Sequence, residues 1–254
     1  MLKSRIIPCL LIHNGGLVKT INFKEPKYIG DPINAVRIFN ELEVDEIMII
    51  DIDASKNNVE PNEELISQLA DECRMPLCYG GGIKNINQIE RLVSLGVEKV
   101  SISSAAINNP ELITEAASRV GSQSIVVTMD IKYIGLTNKP KVVIMNGMEN
   151  TNLNPIEFAK NVESLGAGEI VINSVDYDGT CKGYDHSIIN MIYREIKIPL
   201  TALGGARSIE DIQKLILNFP LIGAAAGSLF VLKGKYKAVL INYISALERK
   251  TYNI

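Results

Sequence analysis

At 254 residues, 46% hydrophobic and 22% charged with a net charge of −3, the chain has apolar material for a large core and no basic surplus to grip a polyanion. No Lys/Arg block stands out and no stretch of 18 apolar residues occurs, so neither a nucleic-acid surface nor a membrane-spanning helix is expected. Two histidines, His13 and His186, exclude a His-rich metal site and argue against a Ser-His-Asp triad, and no metal or cofactor is expected.

In chain order, short Val/Ile/Leu-rich runs alternate with segments of helical period. The first strand is predicted at 5–10; it carries Pro8 and lacks a small-residue cleavage site, so it reads as a strand and not a signal peptide. It ends in Leu10-Leu11 before a glycine turn at 15–16. Asp31-Pro32 opens a helix over 31–43, with proline at the first helical position. A strand at 46–51 follows and ends in Asp51-Ile52-Asp53. A helix at 61–73, a strand at 76–79 and the pair Gly81-Gly82 come next. Helix 86–95 has apolar residues three and four apart. Strand 98–102 then runs into Ser101–Ser104, and Asn109-Pro110 opens a helix over 110–118.

The fifth strand, 124–130, ends in Asp130, and a helix follows at 155–165. Strand 169–173 leads to Asp176, Asp178 and Gly179, then a helix at 185–194. Strand 198–202 ends at Gly204-Gly205, before a helix at 208–217. Strand 221–225 leads to Gly227-Ser228 and a last helix at 235–248. Eight strand-then-helix units predict a closed (β/α)8 barrel forming one domain over 1–254, with an open doubly wound sheet as the alternative. Cys9, Cys73 and Cys78, in or beside apolar strands, read as buried reduced thiols. Cys181, in the polar loop 178–183, is the one with a route to solvent. A soluble cytoplasmic protein is expected.

The chain also repeats itself. Residues 81–92 align with 204–215, Asp51–Asp53 with Asp176–Asp178, and Arg5–Leu11 with Ser124–Asp130, which argues for two fused half-barrels. In such a barrel the functional groups gather at the C-terminal ends of the strands. Glycine pairs let backbone N–H groups approach an anion. Gly81 and Gly82 with Ser103 and Ser104, and Gly204 and Gly205 with Gly227 and Ser228, therefore make two candidate phosphate cups. They suit a ligand with phosphates at both ends; tight turns with no ligand are the plainer reading. Asp51, Asp176 and Asp130 are candidate site carboxylates, because an aspartate in an apolar run is costly to bury unpaired. Asp53 and Asp178 read better as caps or loop anchors.

With RIIPC at 5–9, GGLVK at 15–19, DIDAS at 51–55, GGGI at 80–83, KVSISSA at 99–105, GAGE at 166–169, DYDGT at 176–180 and GYD at 183–185, the chain resembles the cyclase subunit of imidazole glycerol phosphate synthase over essentially its full length. The resemblance implies a two-fold barrel holding a bis-phosphate across its C-terminal face. It implies a glutaminase subunit docked on the opposite face and ammonia passing through the core. It also implies that Lys19, on a flexible first loop, closes over substrate, that Gly179 helps hold the ligand, and that Arg5, Glu46, Lys99 and Glu169 form a charged ring at the barrel floor. The family's paired acid and base fall on Asp130 and on Leu11, and a leucine cannot move a proton. IPCLL at 7–11, FKEPKY at 23–28, DPINAVRIFN at 31–40 and ECRMPLCYG at 72–80 are similar to a divergent branch associated with acetamidino-sugar synthesis for surface glycans. That resemblance implies a sugar amidotransferase as a further partner. Three functions follow as expectations: an ammonia-conducting barrel for acetamidino-sugar synthesis with impaired cyclase chemistry, a working cyclase of histidine biosynthesis, or a phosphate-sensing activator of the glutaminase.

Overall fold

The computed structural model describes residues 3–254; residues 1 and 2, which the sequence reading counts in the domain, lie outside the described residues. Eight parallel strands close into a barrel: β1 (Ile6–His13), β2 (Ile47–Asp51), β3 (Leu77–Gly80), β4 (Lys99–Ile102), β5 (Ile125–Ile134), β6 (Glu169–Ser174), β7 (Leu200–Leu203) and β8 (Gly223–Ala226). Each pairs in parallel with its neighbours, β8 returns to β1, and β5 joins β6 through Glu169↔Val126 to Ser174↔Ile131. The (β/α)8 expectation holds, and the open sheet does not.

Because side chains alternate along a strand, each strand feeds two cores. Ile6, Leu10 and Ile12 of β1 and Ile47 and Ile49 of β2 face outward into the large core beneath the helices. Ile7, Cys9, Met48, Cys78, Val126, Val171 and Ala225 form a second, inner core within the barrel, with Leu11, Ile50 and Leu203 packed on its upper side. The helices bury one stripe each. The helix Pro32–Glu41 buries Pro32, Ala35, Val36 and Phe39, and Asp31 caps it by accepting from the Asn34 N–H at 2.8 Å. Among the described residues no helix is long and apolar enough to cross a membrane.

Four expectations need correction. The helix expected at 235–248 is instead a short helix at Ser228–Val231, a small hairpin pairing Leu232–Lys233 with Ala238–Val239, and a helix at Ala246–Tyr252. Gly234 at φ +75° turns the chain, and the helix starts only at the Ser245/Glu248 capping box. Proline 110 caps the helix Glu111–Val120 instead of occupying its first turn. The flexible loop expected around Lys19 is an antiparallel hairpin, Gly16–Ile21 with Lys24–Gly30, and a second excursion, Lys139–Ile144 with Glu149–Asn150, fills a stretch to which no element was assigned. Finally, Cys73 is only half-buried, at the C-terminal end of the helix Glu63–Glu72.

Candidate functional site

At the N-terminal floor the four expected charged residues form a closed ring. Arg5 bonds Glu46 through Nη1 and Glu169 Oε1 through Nη2 (2.7 Å), while Lys99 Nζ reaches Glu46 at 2.7 Å and Glu169 at 2.9 Å. The parity of β7 adds a member not foreseen, Thr201, whose hydroxyl donates to Glu169 Oε1 at 2.6 Å. Burial alone would lower the Arg5 and Lys99 pKa values, but the two glutamates outweigh it and hold both above their ordinary values. Burial opposes ionisation of Glu169, yet Arg5, Lys99 and Thr201 bring its carboxyl below the usual range. The ring is fully paired, and the inner apolar core begins directly above it.

That core ends at a cavity on the C-terminal face, about 960 Å³ including its open mouth. Leu11, Asp51, Asp130 and Asn173 line it, together with Gly81, Gly82, Ser103 and Ser104 of the first cup. Added Cβ atoms at Gly81 (φ +120°) and Gly82 (φ +74°) would come within 2.4 Å of Asp51 O and 2.7 Å of Val59 O, so only glycine fits this turn. The side chain of Ser103, at the start of the short helix Ser104–Asn108, makes no cap hydrogen bond.

Beside this cavity lies a smaller one of about 290 Å³, which shares Leu203 and gathers the second cup: Gly204, Gly205, Gly227 and Ser228, with Gly179, Cys181, Asp178 and Lys19. Every predicted cup residue therefore reaches one of two adjacent cavities. Lys19 is not on an open loop. It sits in the strand Gly16–Ile21, 7% exposed, with Nζ so close to Gly227 that a Cβ there would lie 2.2 Å from it. Among the described residues no carboxylate lies within ion-pair range of Lys19, whose ammonium faces the second cup.

The carboxylates divide by what they bond. Asp130 does not close its strand, because β5 runs on to Ile134; it stands where β5 leaves the barrel, opposite Asn173 of β6. Burial pushes its pKa up to about 7, against a 2.9 Å hydrogen bond from Asn173 Nδ2. Burial also raises the pKa of Asp51, whose Oδ1 accepts from the N–H groups of Asp53 and Ala54. Asp176 is absent from both cavity linings: it accepts from the Tyr133 N–H at 2.8 Å and acts as a loop anchor. Asp53 and Asp178 are anchors, as expected. Asp53 accepts from His13 Nδ1 and the Asn14 N–H, both at 2.8 Å. Asp178 accepts from Thr20 Oγ1 at 2.8 Å and ties the first hairpin across the barrel mouth.

That hairpin supplies residues the sequence reading missed. Its turn, Asn22-Phe23, meets the turn Met145–Gly147 of the second excursion over the larger cavity, with Phe23 and Met145 among the lining residues. Phe23 (φ +61°) and Met145 (φ +54°) hold the left-handed backbone that non-glycine residues avoid. Asn173 had a legible signal, as the polar residue that ends the inward row Glu169, Val171, Asn173 of β6. Phe23 had none.

The sequence model of a family described as "Histidine biosynthesis protein" matches residues 5–237. A protein of Vibrio vulnificus (strain YJ016), provisionally named imidazole glycerol phosphate synthase subunit hisF3, is 56% identical over 98% of this chain and 96% of its own length. One from Pseudomonas aeruginosa, provisionally named imidazole glycerol phosphate synthase subunit hisF2, is 50% identical over 96% of each chain. The imidazole glycerol phosphate synthase subunit HisF of Lactococcus lactis subsp. cremoris (strain SK11) is 46% identical over 91% of this chain and 89% of its own.

Proposed function

Since the chain belongs to the histidine biosynthesis protein family, we propose that it is a cyclase-type barrel subunit of a cytoplasmic complex, 1–254 acting as one domain, that takes ammonia from a glutaminase at its floor and holds a phosphorylated ligand at its mouth. The observation that carries the ligand is Lys19, a mostly buried side chain with no carboxylate in ion-pair range among the described residues, whose ammonium opens onto one of two glycine-lined cavities. A phosphate in the second cup would supply the counter-ion that this partly desolvated charge lacks. A second phosphate group fits the Gly81–Gly82 and Ser103–Ser104 cup, which leaves the middle of the ligand beside Asp130 and Asp51.

On this reading the ring of Arg5, Glu46, Lys99 and Glu169 is the ammonia gate, closed in this state. Neutral ammonia would cross the apolar inner core more readily than ammonium, whose desolvation is far costlier. Asp130, held near pH 7, suits proton transfer at the ring-closing centre as general acid or base. The relatives' names stand closer to this cyclase reading than to glycan synthesis.

One observation favours the second reading. Leu11 lines the cavity where the acid/base partner of Asp130 is expected from the resemblance. With that proton carrier gone, the barrel would deliver ammonia onward, to a sugar amidotransferase making acetamidino sugars. The test is turnover of the bis-phosphate substrate of histidine biosynthesis by the purified chain with ammonium salt, beside a Leu11→Asp variant. Native turnover establishes a cyclase and removes the second reading. Turnover only in the variant identifies a cyclase site disabled at one residue. No turnover in either, with no phosphate bound, refutes the cyclase-type site.

A further inference from the structure

We propose that Cys181 is a redox-sensitive thiol that closes the second phosphate cup when it forms a mixed disulfide with a small anionic disulfide. The proposal rests on the phosphate-cup reading above. The four cysteines differ sharply in access. Cys9 and Cys78 are buried in the inner core, Cys9 at the base of the larger cavity, and burial pushes Cys9 up to about 12 and holds Cys78 well above the usual thiol range. Burial and the neighbouring Glu98 and Glu72 likewise push Cys73 up to about 12, away from either upper cavity. Cys181 is the one cysteine that is half-buried and also lines the second cup.

Its surroundings suit modification. The backbone at Cys181 is left-handed (φ +57°), between Gly179 (φ +66°) and Gly183 (φ +90°), and the thiol has a single weak partner, Gly179 O at 3.9 Å. The same loop lies directly on the glycine pair: the Gly183 N–H donates to Gly205 O at 2.9 Å, and a Cβ on Gly205 would meet Gly183 O at 2.0 Å. A group attached to Cys181 is therefore held at the cup. The independent sign of a ligand is Lys19, 7% exposed, with no carboxylate in ion-pair range among the described residues and aimed at Gly227 on the same cup. That ammonium attracts the carboxylates of an anionic disulfide as it attracts phosphate, so the two compete for one cavity.

The exchange balances without further reagents. Cys181 gives up its proton to solvent, its sulfur forms a new S–S bond with one sulfur of the disulfide, and the reagent's own S–S bond breaks. The departing thiolate takes up a proton; Cys181 is oxidised and the departing thiol reduced. A reducing thiol in excess reverses the step.

The test treats the full chain with oxidised glutathione, maps adducts by peptide mass, and measures inorganic phosphate binding before and after. The expected result is one adduct, on Cys181, that phosphate slows and that abolishes phosphate binding to this cup until a reductant restores it. Cys181→Ser should take no adduct. Lys19→Met should react about tenfold more slowly with oxidised glutathione but at an unchanged rate with the uncharged 2-hydroxyethyl disulfide. Adducts on Cys9, Cys73 or Cys78 instead, or a Cys181 adduct that leaves phosphate binding intact, would overturn the proposal. An unmodified chain that binds no phosphate would overturn it together with the cup reading, whereas normal phosphate binding without adduct formation would overturn the thiol proposal alone.

Discussion

Replacing Glu169 by Gln tests the floor ring with almost no change of shape. The carboxylate accepts three hydrogen bonds, from Arg5 (2.7 Å), Lys99 (2.9 Å) and Thr201 (2.6 Å). A glutamine can keep its Oε1 on Arg5 and Thr201, which turns its NH2 toward Lys99, donor against donor. The ring goes from neutral to one net positive charge. Breaking a buried pair costs about 3–5 kcal/mol, but the Arg5 and Lys99 side chains keep 26% and 18% of their exposure. Solvent screening brings the expectation to about 2–3 kcal/mol. Equilibrium urea denaturation at pH 7 reads this directly. The folded pKa of Glu169 is depressed, so its contribution is complete above the unfolded value of about 4.3 and is lost as pH falls through the lower folded value. The gap between native chain and variant should therefore narrow below pH 4. Lys99→Met combined with Glu169→Gln restores a neutral Arg5–Glu46 pair and should cost about 1–3 kcal/mol less than the two single changes added. A Glu169→Gln cost under about 1 kcal/mol, or additivity within about 0.5 kcal/mol, would refute the coupled ring.

Asp130→Asn should stabilise the protein increasingly as pH rises from about 4 to about 7. The unfolded aspartate loses its proton near 3.9 while the folded one keeps it to about 7, so the native chain alone loses stability across that window. The plateau difference should be about 1–2 kcal/mol after allowance for the open cavity mouth, and a difference independent of pH would count against the shift. Gly227→Ala places a methyl 2.2 Å from Lys19 Nζ and 3.0 Å from the backbone Cys9 O, at a position with φ −102°, so it should displace the flexible ammonium while the backbone contact gives by a few tenths of an ångström. Phosphate binding should weaken by about tenfold or more, roughly 1.4 kcal/mol, with a modest loss of Tm. Unchanged binding by titration calorimetry would separate Lys19 from the cup.

The eight barrel strands were legible because a parallel strand covered on both faces carries a run of Val, Ile and Leu, as at 170–172 in the middle of β6, where all six residues are buried. The placement of the glycine pairs was legible through duplication: Gly81-Gly82 and Gly204-Gly205 recur with the next strand's small residues, and the fold brings each pair to its own cavity. The last helix was misread because the apolar residues at 238–244 pack on the core without being helical; Ile241, Tyr243 and Ile244 all touch it. The Ser245/Glu248 box was the overlooked signal. The first hairpin escaped because its turn is Asn22-Phe23 where an Asn-Gly pair would announce it, so the left-handed pair is imposed by contacts with Val175 and Asp178. Asp176 looked equivalent to Asp51 from the repeat alone. What separates them is the extension of β5 beyond the barrel, whose Tyr133 N–H donates to the Asp176 carboxylate.

The repeat conserves the cups but not what lies between them, and the strand parity explains why that matters. The inward positions of β1 run Arg5, Ile7, Cys9, Leu11, from the charged floor to the cavity. Those of β6 run Glu169, Val171, Asn173 and end beside Asp130. With leucine at 11, the apolar lining on the β1 side extends one layer higher than on β6, and above the Ser101–Thr128 hydroxyl pair the first carboxylate on the inward row of β5 is Asp130. A carboxylate at 11 would offer ammonia a second proton donor at the same level and would lift the pKa of Asp130 further through like-charge repulsion. On the proposed reading, Leu11 would therefore remove one carrier and also lengthen the stretch in which ammonia stays uncharged. That suits a barrel whose task is to hand ammonia over as much as one whose task is to close a ring. The two cups and the paired floor are compatible with both, so the distinction rests on the side chain at position 11 and on whether Asp130 can move protons alone.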